Sequence, residues 1–448
     1  MTEHRILLFL ASGLVLLQFW PFAHPYLLTA DDTLFQYWAL TRSPAEWLAI
    51  GLDMATWKSK LGELLSVPLM IFGNWGIESL GVRILNLAFF ITSIALFAAY
   101  VARYVPKQTT FLVFLLVVSL SPLRDYHLPP TSYPFFPSVQ LIFGFLCLRG
   151  LTKGHALRLV SALGLFFVLC SSEYTLFLLG ALIAFEGAVQ LTRLGLSAAL
   201  REPASLICLA ALASHVLWRM FMGDGDYTEA TGFEDLYSVL RVQVFHTLNG
   251  VIMGGASLSG PGTELPLWDL VRATMAGVFA GLAALVILRR APPLNLSRLG
   301  LILGLSAFII FFVTFPVALL AKYRDWCHSL EVCTYLDSRY AGWGLVLSIA
   351  GLASYLNKAA VLRFVFAISV GGLTTLTALH NGVVSRELQL RQLPWRMAEV
   401  SVCAGSSAWV EYVRSDLAQS IRFHVHPTQD RTRDSYWMAW AAAHTCAS

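Results

Sequence analysis

The sequence predicts an all-α polytopic membrane protein, and three observations carry that expectation. Apolar runs long enough to cross a bilayer recur along most of the chain. Charged residues make up 13% and hydrophobic ones 57%, where a soluble domain carries about a quarter charged residues. Basic residues also collect in alternate loops, as the positive-inside rule requires.

The first run, residues 6–22, has the length of a signal-peptide core. Pro21, Phe22 and His24 stand where small residues would mark a cleavage site, so it is read as a retained first span. A hydrocarbon core of about 30 Å takes about 20 apolar residues as a helix, and shorter spans are tolerated inside a bundle. On that measure eleven spans are predicted: about 6–22, 80–102, 109–122, 137–149, 157–171, 174–192, 203–221, 268–288, 299–321, 341–356 and 364–380.

With a cytoplasmic N-terminus, the cytoplasmic loops hold Arg103 and Lys107; Arg149, Lys153 and Arg158; Arg193 and Arg201; Arg289, Arg290 and Arg298; Lys358 and Arg363. Glu202 is the one acid among them. One span more or fewer would scramble this pattern, so the C-terminus is expected outside.

Between the first two spans lies a long outer loop, about 23–79. Its apolar stretch "LLSVPLMIFGNW" is too short to cross and contains Pro68, so it is expected on or dipping into the outer face. Upstream, "SPAE" reads as a helix start, with Ser43 as N-cap, Pro44 at the first helical position and Glu46 closing a capping box. The following helix carries Trp47, Leu48, Leu52 and Trp57 beside Asp53 and Lys58. That pattern suits either an interfacial helix flat on the membrane or a surface helix of a folded loop.

The remaining ionisable groups fall almost entirely outside: Asp31 and Asp32; Arg124, Asp125 and His127; Glu173; a loop from about 223 to 267; "KYRDWCHSLEVCTYLDSRY" from Lys322 to Tyr340; and the polar region 381–448, set apart from the transmembrane part, 1–380. Cys147, Cys170 and Cys208 lie in spans and read as buried thiols. Four outer cysteines allow three connectivities, of which Cys327–Cys333 with Cys403–Cys446 is favoured. A net charge of +4 without a basic arm argues against a nucleic-acid partner. There is no Walker loop and no dinucleotide-binding fingerprint.

An acidic pair just after the first span, "ADDT" from Ala30 to Thr33, followed by Phe35, Tyr37 and Trp38, resembles the GT-C superfamily of membrane glycosyltransferases. The short fourth and fifth spans around "SPLRDYHLPPTSYPFFP" add to the likeness. Among subfamilies the chain looks most like the phage-type O-antigen glucosyltransferases of bacteria. The resemblance implies a GT-C-like bundle of about 11 transmembrane helices with extracytoplasmic interfacial helices, in a bacterial inner membrane. It implies a hexose, glucose in that group, moved with inversion from a polyprenyl-phosphate sugar donor to a glycan or lipid-linked glycan acceptor on the periplasmic side. The catalytic Asp would be Asp31 or Asp32.

The residues support that chemistry independently. A carboxylate within reach of the acceptor hydroxyl can take its proton as the anomeric bond breaks. The leaving phosphate needs positive charge rather than an acid, and Lys322, Arg324 and Arg339, with Arg124, are the candidates. His127 and Tyr340 are further substrate-binding candidates, and Glu173 is a candidate to orient the acceptor or bind a divalent metal, the one possible cofactor.

Each assignment has an ordinary rival. Asp31 and Asp32 can start the helix "TLFQYWAL", Asp32 being the better cap and Asp31 the better base. Glu173 can be a solvated turn acid, and the basic cluster can pair with Asp325, Glu331 and Asp337 or meet lipid head groups. Tyr37, Trp38 and Trp343 are the aromatic candidates for stacking on a sugar. The alternative functions are a transporter or flippase of lipid-linked sugars, and an O-antigen polymerase or ligase relying on outer arginines.

Overall fold

The computed structural model describes residues 3–23, 30–77, 79–123, 128, 130–195, 202–222, 235–251, 266–330 and 333–391. Its regular elements are helices: α1 (Glu3–Phe19) with a 3-10 turn (Trp20–Ala23), α2 (Ala30–Thr41), α3 (Pro44–Trp57), α4 (Glu63–Asn74), α5 (Leu80–Val101), α6 (Lys107–Ser119), α7 (Ser138–Gly150), α8 (His155–Cys170), α9 (Glu173–Leu194), α10 (Pro203–Met222), α11 (Leu236–Asn249), α12 (Leu267–Arg290), α13 (Leu296–Ala318), α14 (Ala321–Trp326), α15 (Leu336–Tyr355) and α16 (Ala360–Arg391).

Seven of these are long and apolar enough to cross a bilayer: α1 with the turn after it, α5, α9, α10, α12, α13 and α16. The chain is a multi-pass membrane protein. Each of the eleven predicted spans coincides with a helix, but α6, α7 and α8 are short apolar helices. The fourth, α15, carries Asp337 and Arg339 in its first turns. Each short helix packs one face into the bundle, where Leu112, Leu116, Leu141 and Leu165 are each at most 1% exposed, while Leu157, Val160, Leu163 and Phe167 leave most of α8 exposed.

Polar bonds sort the helix ends into two sets. At one end, Gln18 Nε2 donates to the Ser119 carbonyl at 3.1 Å, Asn381 Oδ1 accepts from the Leu123 amide at 2.7 Å, and Trp218 Nε1 donates to the Ala55 carbonyl at 3.2 Å. At the other, Glu186 takes a hydrogen bond from Tyr100 at 2.9 Å and pairs with Arg103 at 3.3 Å, while Asn357 donates to the Ala291 carbonyl at 2.7 Å. Each bond joins segments that the charge alternation places at the same end. Such satisfaction is what a bilayer demands of non-helical backbone.

Three boundaries differ from the sequence reading. The helix predicted from 341 begins at Leu336, because the Tyr335 amide donates to Ser338 Oγ at 3.1 Å and caps it. The last helix does not stop at 380 but runs to Arg391, with Asn381 and Ser385 buried and bonded into the bundle. The stretch read as a loop from about 223 to 267 contains α11, started by Asp235, whose carboxylate accepts from the Ser238 amide at 3.0 Å. Its alternation was hidden by an outward face that is itself apolar: Leu236, Leu240 and Val244 are exposed, while Val239, Val242 and His246 are buried against α13 and α15.

The end of α11 is set into α15 through a glycine pair. A Cβ built on Gly342 would lie 2.7 Å from the Gly250 carbonyl carbon, and one on Gly250 would collide with the Ser338 carbonyl. Backbone on backbone cannot give way. Overpacking of this kind typically costs about 1–3 kcal/mol. Gly342→Val is therefore expected to lower the thermal-unfolding midpoint in detergent markedly, whereas the same change at Gly300, which faces open space, leaves it within a degree or two, about what a neutral surface change does.

Candidate functional site

The end of the bundle that gathers α2, α3, α4 and the starts of α9 and α15 is organised by one carboxylate. Asp32, in the first turn of α2, has no exposed surface. It accepts from Asn74 Nδ2 on α4 at 3.1 Å and from the Tyr133 amide at 3.1 and 3.3 Å. Asn86 on α5 adds a second anchor to the same turn, donating to the Pro130 carbonyl at 3.0 Å and accepting from the Phe135 amide at 2.8 Å.

Those anchors hold an unusual backbone. Tyr133 and Phe135 have φ of 55° and 64°, a left-handed conformation that costs a non-glycine residue about 1–3 kcal/mol. The result is a tight turn whose Tyr133 and Phe136 side chains form one wall of a cavity.

That cavity, of ≈ 200 Å³, is lined further by Trp57, Lys58, Lys60, Glu63, Glu173 and Tyr335. Two ion pairs cross it: Lys58 Nζ to Glu63 at 3.1 Å and Lys60 Nζ to Glu173 at 3.8 Å. The turn joining α3 and α4 brings these lysines in, and Ser59, with φ of 52°, marks its strained apex. Glu173 is delivered by Ser172, which caps α9 through a bond from the Tyr174 amide at 3.2 Å.

A second cavity, of ≈ 300 Å³, adjoins the first and shares Lys60, Glu173 and Tyr174 with it. Its walls are mainly apolar: Leu212 and Val216 from α10, Val317, Leu319 and Leu320 from the end of α13, and Phe177 from α9. Leu212 and Val216 are also half exposed on the outside of the bundle, so this limb reaches the apolar surface. Arg219 and His215 join Lys60 as its basic lining residues.

The back wall is stapled. Cys327 and Cys333 form a disulfide, and Asn249 donates to the carbonyls of Leu330 and Cys333, both at 2.6 Å. His246 Nδ1 meets Asp337 at 2.7 Å with both side chains buried. This clamp holds the Tyr323 ring tilted against Tyr335 at 4.7 Å, and Tyr335 tilted against Tyr174 at 5.7 Å, between the two limbs. His246 lies close to the two sulfurs as well, but a disulfide leaves neither sulfur as a thiolate ligand.

The predicted site residues are dispersed by this geometry. Glu173 sits at the junction of the limbs. Asp32, a catalytic candidate whose ordinary rival was a helix cap, lies inside the first turn of α2 as a buried anchor bonded to the Tyr133 amide of the cavity wall. Arg339 lies inside α15, donating to the Pro122 carbonyl at 2.5 Å and covering the Phe90 ring, and Tyr340 packs edge-on against Trp343 in the core. Trp343 is itself fully buried, so it cannot stack on a ligand. Arg324 lines neither limb; its carbonyl accepts from Arg241 at 3.4 Å. Arg124, His127, the Cys403–Cys446 pair and the region from 392 on lie outside the described residues, as do the side chains of Asp31 and Lys322.

Sequence reasoning missed Lys60, Glu63, Tyr174, Tyr335 and Arg219. The one signal, for Lys60 and Glu63 alone, is the crowding of Lys58, Lys60 and Glu63 into the six residues 58–63 between two apolar helical segments. Chemically, the junction pairs a carboxylate able to accept a proton with cations able to hold an anion, next to an apolar channel. No known family, curated protein or solved structure matches the chain.

Removing the anchor takes a buried acceptor from the Tyr133 amide and from Asn74, whose side-chain amide keeps its bond to the Met70 carbonyl at 2.9 Å. Asp32→Ala is expected to destabilise the fold by about 1–3 kcal/mol. Limited proteolysis should show new cleavage between 123 and 137, and a variant equal to wild type in both stability and cleavage would remove Asp32 from this role.

Proposed function

We propose that the protein is a membrane glycosyltransferase of the GT-C type, moving a hexose from a polyprenyl-phosphate donor to a glycan acceptor on the extracytoplasmic side of a bacterial inner membrane. The observation that supports this reading is the meeting of an apolar limb and a polar limb at Lys60 and Glu173. A lipid chain needs the first, a sugar and its acceptor need the second, and a phosphate lies between them.

On this reading the isoprenoid chain enters along α10 and α13, and its phosphate lies between Lys60 and Arg219. The sugar rests in the polar limb against Tyr335 and Tyr133. Glu173 takes the proton of the acceptor hydroxyl as its oxygen bonds to the anomeric carbon and the carbon–phosphate oxygen bond breaks. The phosphate departs as an anion and needs no proton, only the positive charge beside it. Attack from the face opposite the phosphate inverts the anomeric centre. Asp32 acts by holding Tyr133 in place, and Asp31, its neighbour in the first turn of α2, is the rival base. The basic helix ends around Arg103, Arg149, Arg193, Arg289 and Lys358 face the cytoplasm.

The test is transfer of labelled hexose from a short-chain polyprenyl-phosphate donor by the purified protein. Glu173→Gln is expected to lower kcat by about 10²–10⁴-fold with little change in stability. Loss in Asp31→Asn but not in Glu173→Gln would move the base to Asp31. Full activity in both, with normal folding, would dispose of the mechanism.

A further inference from the structure

Among the lining residues, Lys60 and Glu173 are the two opposite charges common to both limbs, and they face one another across the passage between them. At 3.8 Å their contact is longer than the 3.1 Å hydrogen-bonded pair of Lys58 and Glu63 a few residues away. The two side chains keep 19% and 22% of their surface exposed, so the pair is held by Coulomb attraction at partial screening, an interaction of small free energy. The phosphodiester of a lipid-linked sugar carries one negative charge, as the carboxylate does, and charge-assisted bonds to phosphate are among the strong ones, so a phosphate arriving from the apolar limb competes with Glu173 for the ammonium.

We propose that Lys60 is an exchangeable cation: it covers Glu173 until the phosphate of a lipid ligand reaches the junction, then turns to the phosphate and leaves Glu173 open to the acceptor hydroxyl. This rests on the reading of the two limbs as a lipid-phosphate site. The exchange imposes an order, with the lipid phosphate bound before the carboxylate is uncovered, and it keeps the base masked while no donor is present. Lys60 has the means to move, since it lies in the turn between α3 and α4 on a long flexible stem, while Glu173 is fixed at the start of α9. The neighbouring charges are set for the same outcome. Lys58 is engaged by Glu63 on the far side, and Arg219 lines the apolar limb, where it meets the phosphate from the other flank.

The exchange makes an unusual demand on mutants, because the carboxylate competes with the ligand. Binding of farnesyl phosphate, with farnesol as the uncharged control, is to be measured on the full-length protein in nanodiscs. Wild type is expected to bind the phosphate and to discriminate against the alcohol. Glu173→Gln is expected to tighten farnesyl phosphate binding by about two- to fivefold, the fold-change that corresponds to a partly screened ion pair, while transfer slows. Lys60→Met is expected to weaken binding by at least about tenfold, as loss of a bond to a charged group does. The double variant should be as weak as Lys60→Met alone, and an unchanged thermal-unfolding midpoint of each variant serves as the folding control. Farnesyl phosphate binding that discriminates against farnesol but is unchanged or weakened by Glu173→Gln overturns the exchange and leaves the site reading standing. Equal binding of phosphate and alcohol, or binding of neither, overturns the site reading and the exchange with it.

Discussion

Asp32 is the contact on which the polar limb depends. A carboxylate with no exposed surface binds one amide on α4 and one in the 128–137 turn, and so joins α2, α4 and the link between α6 and α7. In a bundle end that is neither helix nor bulk water, such a group satisfies backbone that would otherwise be orphaned. Breaking one partner of a buried hydrogen bond to a charge costs more than the bond is worth net. The left-handed residues Tyr133 and Phe135 persist only because Asp32 and Asn86 over-determine them.

The opposite wall follows the same logic with different chemistry. There the Cys327–Cys333 link, the Asn249 bonds and the His246–Asp337 pair hold the segment between α14 and α15 against α11. Gly250 and Gly342 allow α11 to approach closely enough to make those bonds. Both walls are thus rigid, and the charged residues between them are the softer part. Lys58, Lys60, Glu63 and Glu173 lie on a turn and two helix starts and are paired with one another there. A rigid frame around adaptable charges is the arrangement that preorganises a site while leaving room for a ligand to exchange partners.

Much of the architecture was legible in the chain because one period of hydrophobicity carried it. All eleven predicted segments coincide with helices, the Ser43–Glu46 capping box is present with Glu46 accepting from the Ser43 amide at 2.8 Å, and the Cys327–Cys333 pairing is observed. The Ser43 amide and hydroxyl, with Arg42 beside them, hold the Glu46 carboxyl below its ordinary range. The site was less legible. Glu173 was singled out and lies at the junction, but Arg339 and Tyr340 looked like loop residues and are helical and buried. Their polarity misled because a buried arginine can spend its donors on a carbonyl and an aromatic face, as Arg339 does with Pro122 and Phe90.

What the sequence determined by itself was a membrane-spanning helical chain with its basic residues at alternate loops, since the bilayer filters local composition residue by residue. Which charged groups meet was decided only by the tertiary structure. Lys60 and Glu173 are separated by more than a hundred positions, and Asp32 and Tyr133 by 101; no local rule connects them. Their meeting depends on how α3, α4, α9 and the turn at 133 close on one another, and that closure is set by long-range packing and by buried polar bonds whose partners a linear pattern does not reveal.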